Sequence, residues 1–205
     1  MSRSFCYQCR RAKVACLCGR VEAQPNKVNV IVLQHPDEAA NPKGSAIIAE
    51  LGLQQYQAWV GEDFTAHEGL NQLLANDSQG IVVLYPAEDA ELLDGAWCKR
   101  WLGEIQHIIV IDGTWRKARK IWQLNPQLHS LPAIKFDEQK ISEYRIRKVP
   151  QQGYLSTVEC IVEALRLIEQ RPEAYQPLLE LFGEMVDFQI KSMGESTYRK
   201  NYEKK

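Results

Sequence analysis

The sequence predicts an α/β protein built around a largely parallel sheet. Short β-branched and apolar runs alternate along the chain with segments that carry apolar residues at helical spacing, and this alternation is typical of strand–helix–strand units. One apolar run, residues 107–111, leads directly into Asp112. Because ligands of open α/β sheets bind at the carboxyl ends of strands, the sequence also predicts a functional site at this strand end.

Four strands and two helices are predicted in the first two thirds of the chain. The strands are continuous runs rich in β-branched residues, at 28–33, 81–84, 107–111 and 133–136. Helical periodicity predicts helices over residues 45–53 and 115–124, and Asn125-Pro126 is a normal stop signal for the second.

The last third is predicted to be helical. The run Ser156-Thr157-Val158-Glu159 has the form of a capping box, and an apolar-periodic segment follows it to residue 168. Pro172 suits the first turn of a further helix over about residues 173–193. Residues 198–205 carry four cations and one acid, and we expect this tail to be frayed.

Composition indicates an ordinary globular protein. The chain of 205 residues suits one domain with a small appendage, and 45% hydrophobic with 25% charged residues is typical of that class. A net charge of −1 neither favours nor excludes a nucleic-acid partner, because a basic patch can lie within a neutral total. No apolar run approaches the roughly 20 residues of a membrane helix, and the polar N-terminus lacks the apolar core of a secretory signal. We therefore expect a cytoplasmic protein.

Four of the six cysteines lie close together, at Cys6, Cys9, Cys16 and Cys18. In a reducing compartment such clustering favours metal binding over disulfides, and four thiolates would close a structural zinc site with no open position. The single residue between the last two departs from the usual spacing of two. Two strained disulfides or uncoordinated thiols are the alternatives. We predict a zinc knuckle over residues 1–25 and a second unit over residues 26–205, with Cys98 and Cys160 as small buried hydrophobic residues.

Asp112 has three possible roles at the predicted strand end. Partly desolvated, it would have a raised pKa and could take or share a proton; it could instead hold a ligand's ammonium group, or cap the following helix. Thr114 places a hydroxyl beside it. Trp115 could stack on a nucleobase, or pack in the core on one helix face with Ala118 and Trp122.

Two further segments could form walls of a ligand site. Leu84, Tyr85 and Pro86 end the second predicted strand and would make the apolar lip of a pocket, although prolines commonly end strands without a functional role. The helix start at Ser156 presents free N–H groups that suit an anion, although a capping box stabilises any helix.

Basic residues cluster on both sides of these segments. The clusters comprise Arg116, Lys117, Arg119, Lys120, Arg145, Arg147 and Lys148. Such runs are often solvated helix faces, but here two runs flank one predicted site, which favours contacts with RNA phosphates. Arg10, Arg11 and Lys13 of the knuckle could add a further contact.

The motifs together resemble those of the DTW-domain family. Asp112-Gly113-Thr114-Trp115 resembles the signature that names the family, and four other blocks follow the family order: Cys6 to Cys18, Leu33-Gln34-His35-Pro36 with Glu38, Val83-Leu84-Tyr85-Pro86, and Tyr144 to Lys148 followed by Leu155 to Glu159. The similar segments run from Cys6 to about Leu165. His35 and Glu38 match without a predicted role.

The resemblance implies a fold and an activity. Family members are similar to SPOUT enzymes, with a C-terminal trefoil knot, and transfer the 3-amino-3-carboxypropyl group of S-adenosylmethionine to RNA. Bacterial members of this size resemble tRNA-uridine aminocarboxypropyltransferases acting on N3 of a uridine in the variable loop. On this basis we expect catalysis by Asp112, Thr114 and Trp115, and donor binding by Leu84, Tyr85, Pro86, Asp112, Leu155, Ser156, Thr157 and Glu159.

Three other functions stay open from the sequence. The same fold and donor could support an RNA methyltransferase, which uses the other carbon of the sulfonium. The same chemistry could act on ribosomal RNA. The chain could also be a non-catalytic, zinc-dependent RNA-binding module. Its oligomeric state is not predicted.

Overall fold

A computed structural model describes residues 4–77, 80–137 and 155–202 of the chain. A two-stranded antiparallel hairpin comes first, formed by β1 (Phe5–Cys6) and β2 (Arg11–Ala12). The six strands that follow are β3 (Asn29–Gln34), β4 (Tyr56–Val60), β5 (Ile81–Leu84), β6 (Glu91–Leu92), β7 (His107–Asp112) and β8 (Ala133–Lys135). They form one sheet of order β4-β3-β7-β5-β8-β6, in which every neighbouring pair is parallel. The prediction of an α/β fold with a largely parallel sheet is therefore confirmed.

Eight α-helices are described in these ranges. They are α1 (Pro36–Ala39), α2 (Ala46–Gly52), α3 (Glu68–Asp77), α4 (Gly95–Arg100), α5 (Trp115–Leu124), α6 (Thr157–Ile168), α7 (Gln176–Met193) and α8 (Glu195–Tyr202). None of the helices in the described part of the chain has both the length and the apolar character needed to cross a bilayer.

The sheet is covered on both faces, as parallel sheets generally are. Alternate strand residues such as Val30 and Ile108 pack with α2, α4, α6 and α7 on one face. The residues between them, such as Ile31 and Ile109, pack with Leu70 of α3 and Ile121 of α5 on the other. The continuous apolar runs that predicted strands are explained by this burial on both faces.

The predicted central elements agree closely with the structure, and the peripheral ones do not. The strand at 81–84 and the helix at 115–124 have the predicted bounds. Strands β4 and β6 were not predicted, because β4 alternates half-buried and exposed residues and β6 has only two residues. Helices α3 and α4 were not predicted either.

Two predictions about the C-terminal region are wrong. The last long helix begins at Gln176 rather than near 173, because Tyr175 adopts a left-handed backbone (φ 64°) and Pro177 occupies the first turn. The tail expected to be frayed is helical through Tyr202, after Gly194 with φ 82° ends α7. An i,i+4 ion pair between Arg199 and Glu195 adds to α8.

Candidate active site and metal centre

A cavity of about 250 Å³ opens at the carboxyl ends of the central strands, beside the first turns of α5 and α6. Its lining includes six residues predicted to form the site: Leu84, Tyr85, Pro86, Trp115, Leu155 and Thr157. Ile134, Lys135, Phe136 and Cys160 line it as well and were not predicted. The sequence places these residues far apart, and they are brought together by the pairing of β5 with β7 and β8 and by the docking of α6.

Asp112 lies behind this cavity and bridges three elements. Its side chain is buried, with 8% relative exposure. The Gln34 Nε2 of β3 donates to its Oδ2 at 2.8 Å, and the Thr157 Oγ1 of α6 donates to its Oδ1 at 2.5 Å. The N-cap position of α5 belongs to Thr114. These bonds therefore tie Asp112 to β3 and α6, which distinguishes it from a simple cap of α5.

The turn after Asp112 is tight, and Gly113 makes it possible. A Cβ atom at Gly113 would lie 3.0 Å from the Cβ of Lys117 and 3.2 Å from the backbone nitrogen of Ala118. Close packing of β7 against α5 therefore favours a residue without a side chain. Thr114 is exposed at the helix start and makes no side-chain capping bond.

Trp115 faces the cavity rather than the core. Its relative exposure is 41%, so the alternative that it packs in the core is wrong. Further along α5, the Trp122 ring stacks on Tyr85 with a centroid distance of 4.6 Å and an interplanar angle of 17°. The His129 ring also packs against this indole, with a centroid distance of 4.4 Å and an interplanar angle of 32°. An aromatic stack thus leads outward from the cavity wall.

Ser156 and Glu159 form the predicted capping box. The Ser156 N–H donates to Glu159 Oε2 at 2.6 Å, and the Glu159 N–H donates to Ser156 Oγ at 3.4 Å. Both residues are buried, and neither is among the described residues that line the cavity. They fix the start of α6 and thereby the position of Thr157, its first residue.

The first loop places two residues whose role the sequence left undefined. The backbone N–H of Asp37 donates to His35 Nδ1 at 3.1 Å, so His35 Nε2 carries the proton and donates to Glu62 Oε1 at 2.7 Å. Glu38 Oε1 accepts from Lys117 Nζ at 2.8 Å. Burial raises the pKa of Glu38, but hydrogen bonds from Lys117 and Asn41 outweigh burial and hold the pKa below its ordinary value. Glu38 therefore braces the loop against α5, and His35 ties the loop to Glu62, which follows β4.

The predicted basic residues of α5 divide into two pairs. Lys117 bonds to Glu38, and Lys120 bonds to Glu62 at 2.6 Å. In the ranges that the structure describes, Arg116 and Arg119 are exposed and have no carboxylate within 4.0 Å. The other predicted cations, Arg145, Arg147 and Lys148, lie outside the described residues.

The four N-terminal cysteines form a compact cluster. Their sulfur atoms all lie within 4.8 Å of one another, and the Cys6–Cys18 and Cys9–Cys16 Sγ distances are both 3.7 Å. A disulfide requires about 2.05 Å. A tetrahedron with Zn–S bonds of about 2.3 Å has edges of about 3.75 Å. The donor set and its spacing therefore fit a structural zinc ion and exclude two disulfides in this arrangement.

The knuckle's arginines anchor it to the rest of the protein. Arg10 pairs with Glu50 of α2 at 2.6 Å. Arg11 is buried at 4% exposure, and its Nη2 donates to the Gly44 carbonyl at 3.0 Å and to Met185 Sδ at 2.9 Å. The expectation that Arg11 contacts RNA is wrong, because its guanidinium serves the packing of the knuckle on the core.

One functional residue of the site was missed. Gln34 belongs to the quoted first-loop block, but its role became visible only from the sheet, where it is in register with Asp112. Its position as the last residue of an apolar run was the available signal, because polar residues at strand ends line sites in α/β proteins.

The fold and the site together define a class: an α/β protein with a strand-end pocket, a buried carboxylate behind it and a four-cysteine cluster that could hold a metal ion. The chain belongs to the DTW domain family, whose profile matches residues 3–190. No solved structure matches the chain.

Three relatives carry the same descriptive name, tRNA-uridine aminocarboxypropyltransferase 2. The protein from Drosophila melanogaster is 32% identical over 92% of this chain and 76% of its own length. The protein from Mus musculus is 25% identical over 98% of the chain and 68% of its own length. The protein from Macaca fascicularis is 26% identical over 92% of the chain and 64% of its own length. The family match over residues 3–190 extends across both the cysteine cluster and the strand-end cavity.

Proposed function

We propose that this chain is a tRNA-uridine aminocarboxypropyltransferase. It transfers the 3-amino-3-carboxypropyl group of S-adenosylmethionine to N3 of a tRNA uridine, in the variable loop, and releases methylthioadenosine. The observation that carries the proposal is the similarity over nearly the whole chain to three proteins of that name. The cavity supports it, because residues of the DTW signature line its wall.

The reaction depends on orientation. The sulfonium of S-adenosylmethionine has a methyl and a Cγ that can both be attacked, and alignment with N3 decides which one reacts. We assign the adenosine to the apolar lip at Leu84, Tyr85 and Pro86, and the methionine carboxylate to the N-terminal turn of α6 that Leu155 precedes. The capping residues Ser156 and Glu159 hold that turn in place.

The uracil is assigned to the side of the cavity formed by the DTW signature. Trp115, exposed beside the cavity, offers a face for base stacking. Thr114 stands exposed at the start of α5, where it can contact the RNA. Asp112 supplies the acceptor for the N3 proton that alkylation must remove. We assign the four cysteines to a structural zinc ion that takes no part in the transfer reaction.

Several finer assignments rest on the family resemblance. We propose that the sheet is SPOUT-like and that the fold has a C-terminal trefoil knot. We also propose that the boundary between the zinc knuckle and the catalytic domain lies at residue 25, that the protein is cytoplasmic and that its source is bacterial. The methyltransferase, the ribosomal RNA enzyme and the binding module are the competing functions that the experiment must separate.

The test uses S-adenosylmethionine labelled on the carboxyl carbon, incubated with the protein and unmodified tRNA. Label in the tRNA together with methylthioadenosine is the expected result, and Asp112→Asn should lower the rate at least about 10³-fold. Adenosylhomocysteine without transferred label would identify a methyltransferase. Label only in ribosomal RNA would show that ribosomal RNA, and not tRNA, is the substrate. With no product from either RNA, the binding module becomes the better assignment.

RNA contact is tested by a matched pair of variants on α5. Arg119→Gln removes an exposed cation without an ion pair among the described residues, whereas Lys120→Gln removes one already paired with Glu62. We expect the first to weaken tRNA binding and reduce the slope of log K against log salt by about 1. The second should change the slope less, and equal slopes for the two variants would contradict the assignment.

A further inference from the structure

The buried acid is not among the described residues that line the cavity. Thr157 and Gly113 line the cavity, whereas Asp112 is not among its described lining residues and is 8% exposed. Thr157 is also in direct contact with the acid, because its Oγ1 lies 2.5 Å from Asp112 Oδ1. A substrate in the cavity therefore meets the hydroxyl of Thr157 on the way to the carboxylate.

Gln34 holds the second oxygen of this carboxylate. Gln34 and Asp112 are partners in the parallel β3–β7 register, and the Gln34 Nε2 donates to Oδ2 at 2.8 Å. Gln34 is itself buried at 6% exposure. Turning the carboxylate toward the cavity would break both hydrogen bonds in a buried environment, where unpaired polar groups are costly. The acid is thus held in a fixed orientation behind Thr157.

Thr157 is held just as firmly. It is the first residue of α6, directly after the capping box of Ser156 and Glu159. The next backbone N–H, at Val158, donates to Ser45 Oγ at 3.3 Å. A hydroxyl has one proton and two lone pairs. Since the proton is donated to Asp112, a lone pair is available to accept a hydrogen bond from a group in the cavity.

We propose, on the basis of the proposed function, that Thr157 relays the uracil N3 proton to Asp112. The N3 proton passes to Thr157 Oγ1 as the hydroxyl's own proton passes to Asp112 Oδ1. The electron pair left on N3 forms a bond to Cγ of the methionine moiety. The Cγ–S bond breaks with its electron pair going to sulfur, which leaves neutral methylthioadenosine. Thr157 is then a catalytic residue and Gln34 a positioning residue.

The competing role for Thr157 is donor binding, since the same helix start suits the methionine carboxylate. The two roles differ in kinetics. Loss of a relay lowers kcat and leaves the affinity for S-adenosylmethionine unchanged, whereas loss of a donor contact raises KM. They also differ in proton dependence, because only the relay makes proton transfer through Thr157 part of the alkylation step.

The experiment compares Thr157→Val, which keeps the shape and removes the hydroxyl, with Thr157→Ser, which keeps the hydroxyl. Single-turnover transfer to tRNA is followed in H₂O and D₂O, donor affinity by calorimetry and folding by thermal denaturation. We expect the valine variant to lose roughly 10²–10⁴-fold in rate with unchanged donor affinity, and the serine variant to stay within about tenfold of wild type. The double variant with Asp112→Asn should be no slower than Asp112→Asn alone, because both act on one proton path.

The other possible outcomes would overturn the relay, the proposed function or the positioning role of Gln34. Full activity in Thr157→Val, or weaker donor binding with unchanged kcat, would overturn the relay. Transfer of label by the wild-type protein would still support the proposed function. A wild-type protein that transfers no label would overturn the proposed function and the relay with it. For Gln34, the variant Gln34→Met keeps a side chain of similar length and removes the amide that donates to Asp112. The acid limb of its pH–rate profile should move to higher pH, because the ionised carboxylate loses a stabilising hydrogen bond. An unmoved limb would contradict the positioning role.

Discussion

The cysteine cluster and the strand-end site are both built from short contacts, but over very different distances along the chain. The cysteine pairs are separated by 12 and 7 residues. The hydrogen bonds that Gln34 and Thr157 donate to Asp112 join residues 78 and 45 positions apart. The first arrangement depends on a local turn and has the spacing that a bound metal ion would need. The second depends on the register of the sheet and the docking of α6. We therefore expect the cluster to respond to metal, and the site to respond to the loss of single hydrogen bonds.

The largest effect on stability is expected from removing a zinc ligand. A short segment such as the knuckle cannot bury a core of its own, so the proposed zinc ion would contribute directly to its folding. Cys9→Ser should lower the free energy of unfolding by about 3 kcal/mol, comparable to losing a structural cross-link, which is a drop of roughly 6–12 °C in Tm. Zinc content by mass spectrometry and Tm by calorimetry measure this.

The control for that variant is Cys98→Ala. Cys98 is a buried core cysteine outside the cluster, so its loss should cost about 1 kcal/mol without changing zinc content. If Cys9→Ser and Cys98→Ala lowered Tm equally and left the same zinc content, the cluster would not be a metal centre. The cluster would then not differ from the strand-end site in its dependence on metal.

Zinc binding should also depend steeply on pH. A hydrogen bond from the Cys9 backbone N–H, together with those from neighbouring thiols, lowers the pKa of Cys6 to about 6. Burial, followed by hydrogen bonds with neighbouring thiols, raises the pKa of Cys18 to about 12. For Cys16, a hydrogen bond from the Cys18 backbone lowers the pKa, but interactions with Cys6 and burial raise it above its ordinary value.

The sign of the pH dependence follows from these directions. Metal binds thiolates, so zinc must displace at least two protons at pH 7, from Cys16 and Cys18, while Cys6 is already ionised. Zinc affinity should then fall at least about 100-fold per unit of decreasing pH, and more steeply below pH 6, where Cys6 also takes up a proton. Calorimetry in buffers of different ionisation enthalpy counts the released protons. Fewer than two would contradict the four-thiolate site.

The same contrast explains which parts of the molecule the sequence could predict. The cysteines were recognisable because their spacing is local, and the strands β5 and β7 because both faces of each are buried. The hydrogen bond from Gln34 to Asp112 was not predictable, because no local pattern states that β3 and β7 are neighbours. Trp115 shows the same limit, since helical periodicity gives a face of α5 but not what that face meets.

Neighbouring arginines illustrate the point most simply. Arg10 and Arg11 are equivalent in the sequence, yet one is an exposed partner of Glu50 and the other is buried. The hairpin turn causes the difference, because Arg10 has a left-handed backbone with φ 56° and Arg11 begins β2. Which side chain points inward depends on that turn, and the identity of the residue alone does not determine it.

Effects smaller than that of Cys9→Ser are predicted for this pair, and they test whether the two regions are independent. Arg10→Gln should cost at most about 1 kcal/mol, as expected for an exposed ion pair, and leave the transfer rate unchanged. Arg11→Gln should cost about 2 kcal/mol, because it disrupts the buried hydrogen bonds at Gly44 and Met185. Denaturant unfolding measures both.

Arg11 also connects the knuckle to the site. Gly44 precedes Ser45, whose Oγ accepts from the Val158 N–H at the start of α6, one residue beyond Thr157. If the knuckle helps to hold that turn, Arg11→Gln should slow transfer to tRNA several-fold at a temperature where the variant is fully folded. An unchanged rate, with zinc still bound, would show that the metal centre stabilises the fold without influencing the strand-end chemistry, and the two regions would then be energetically separate.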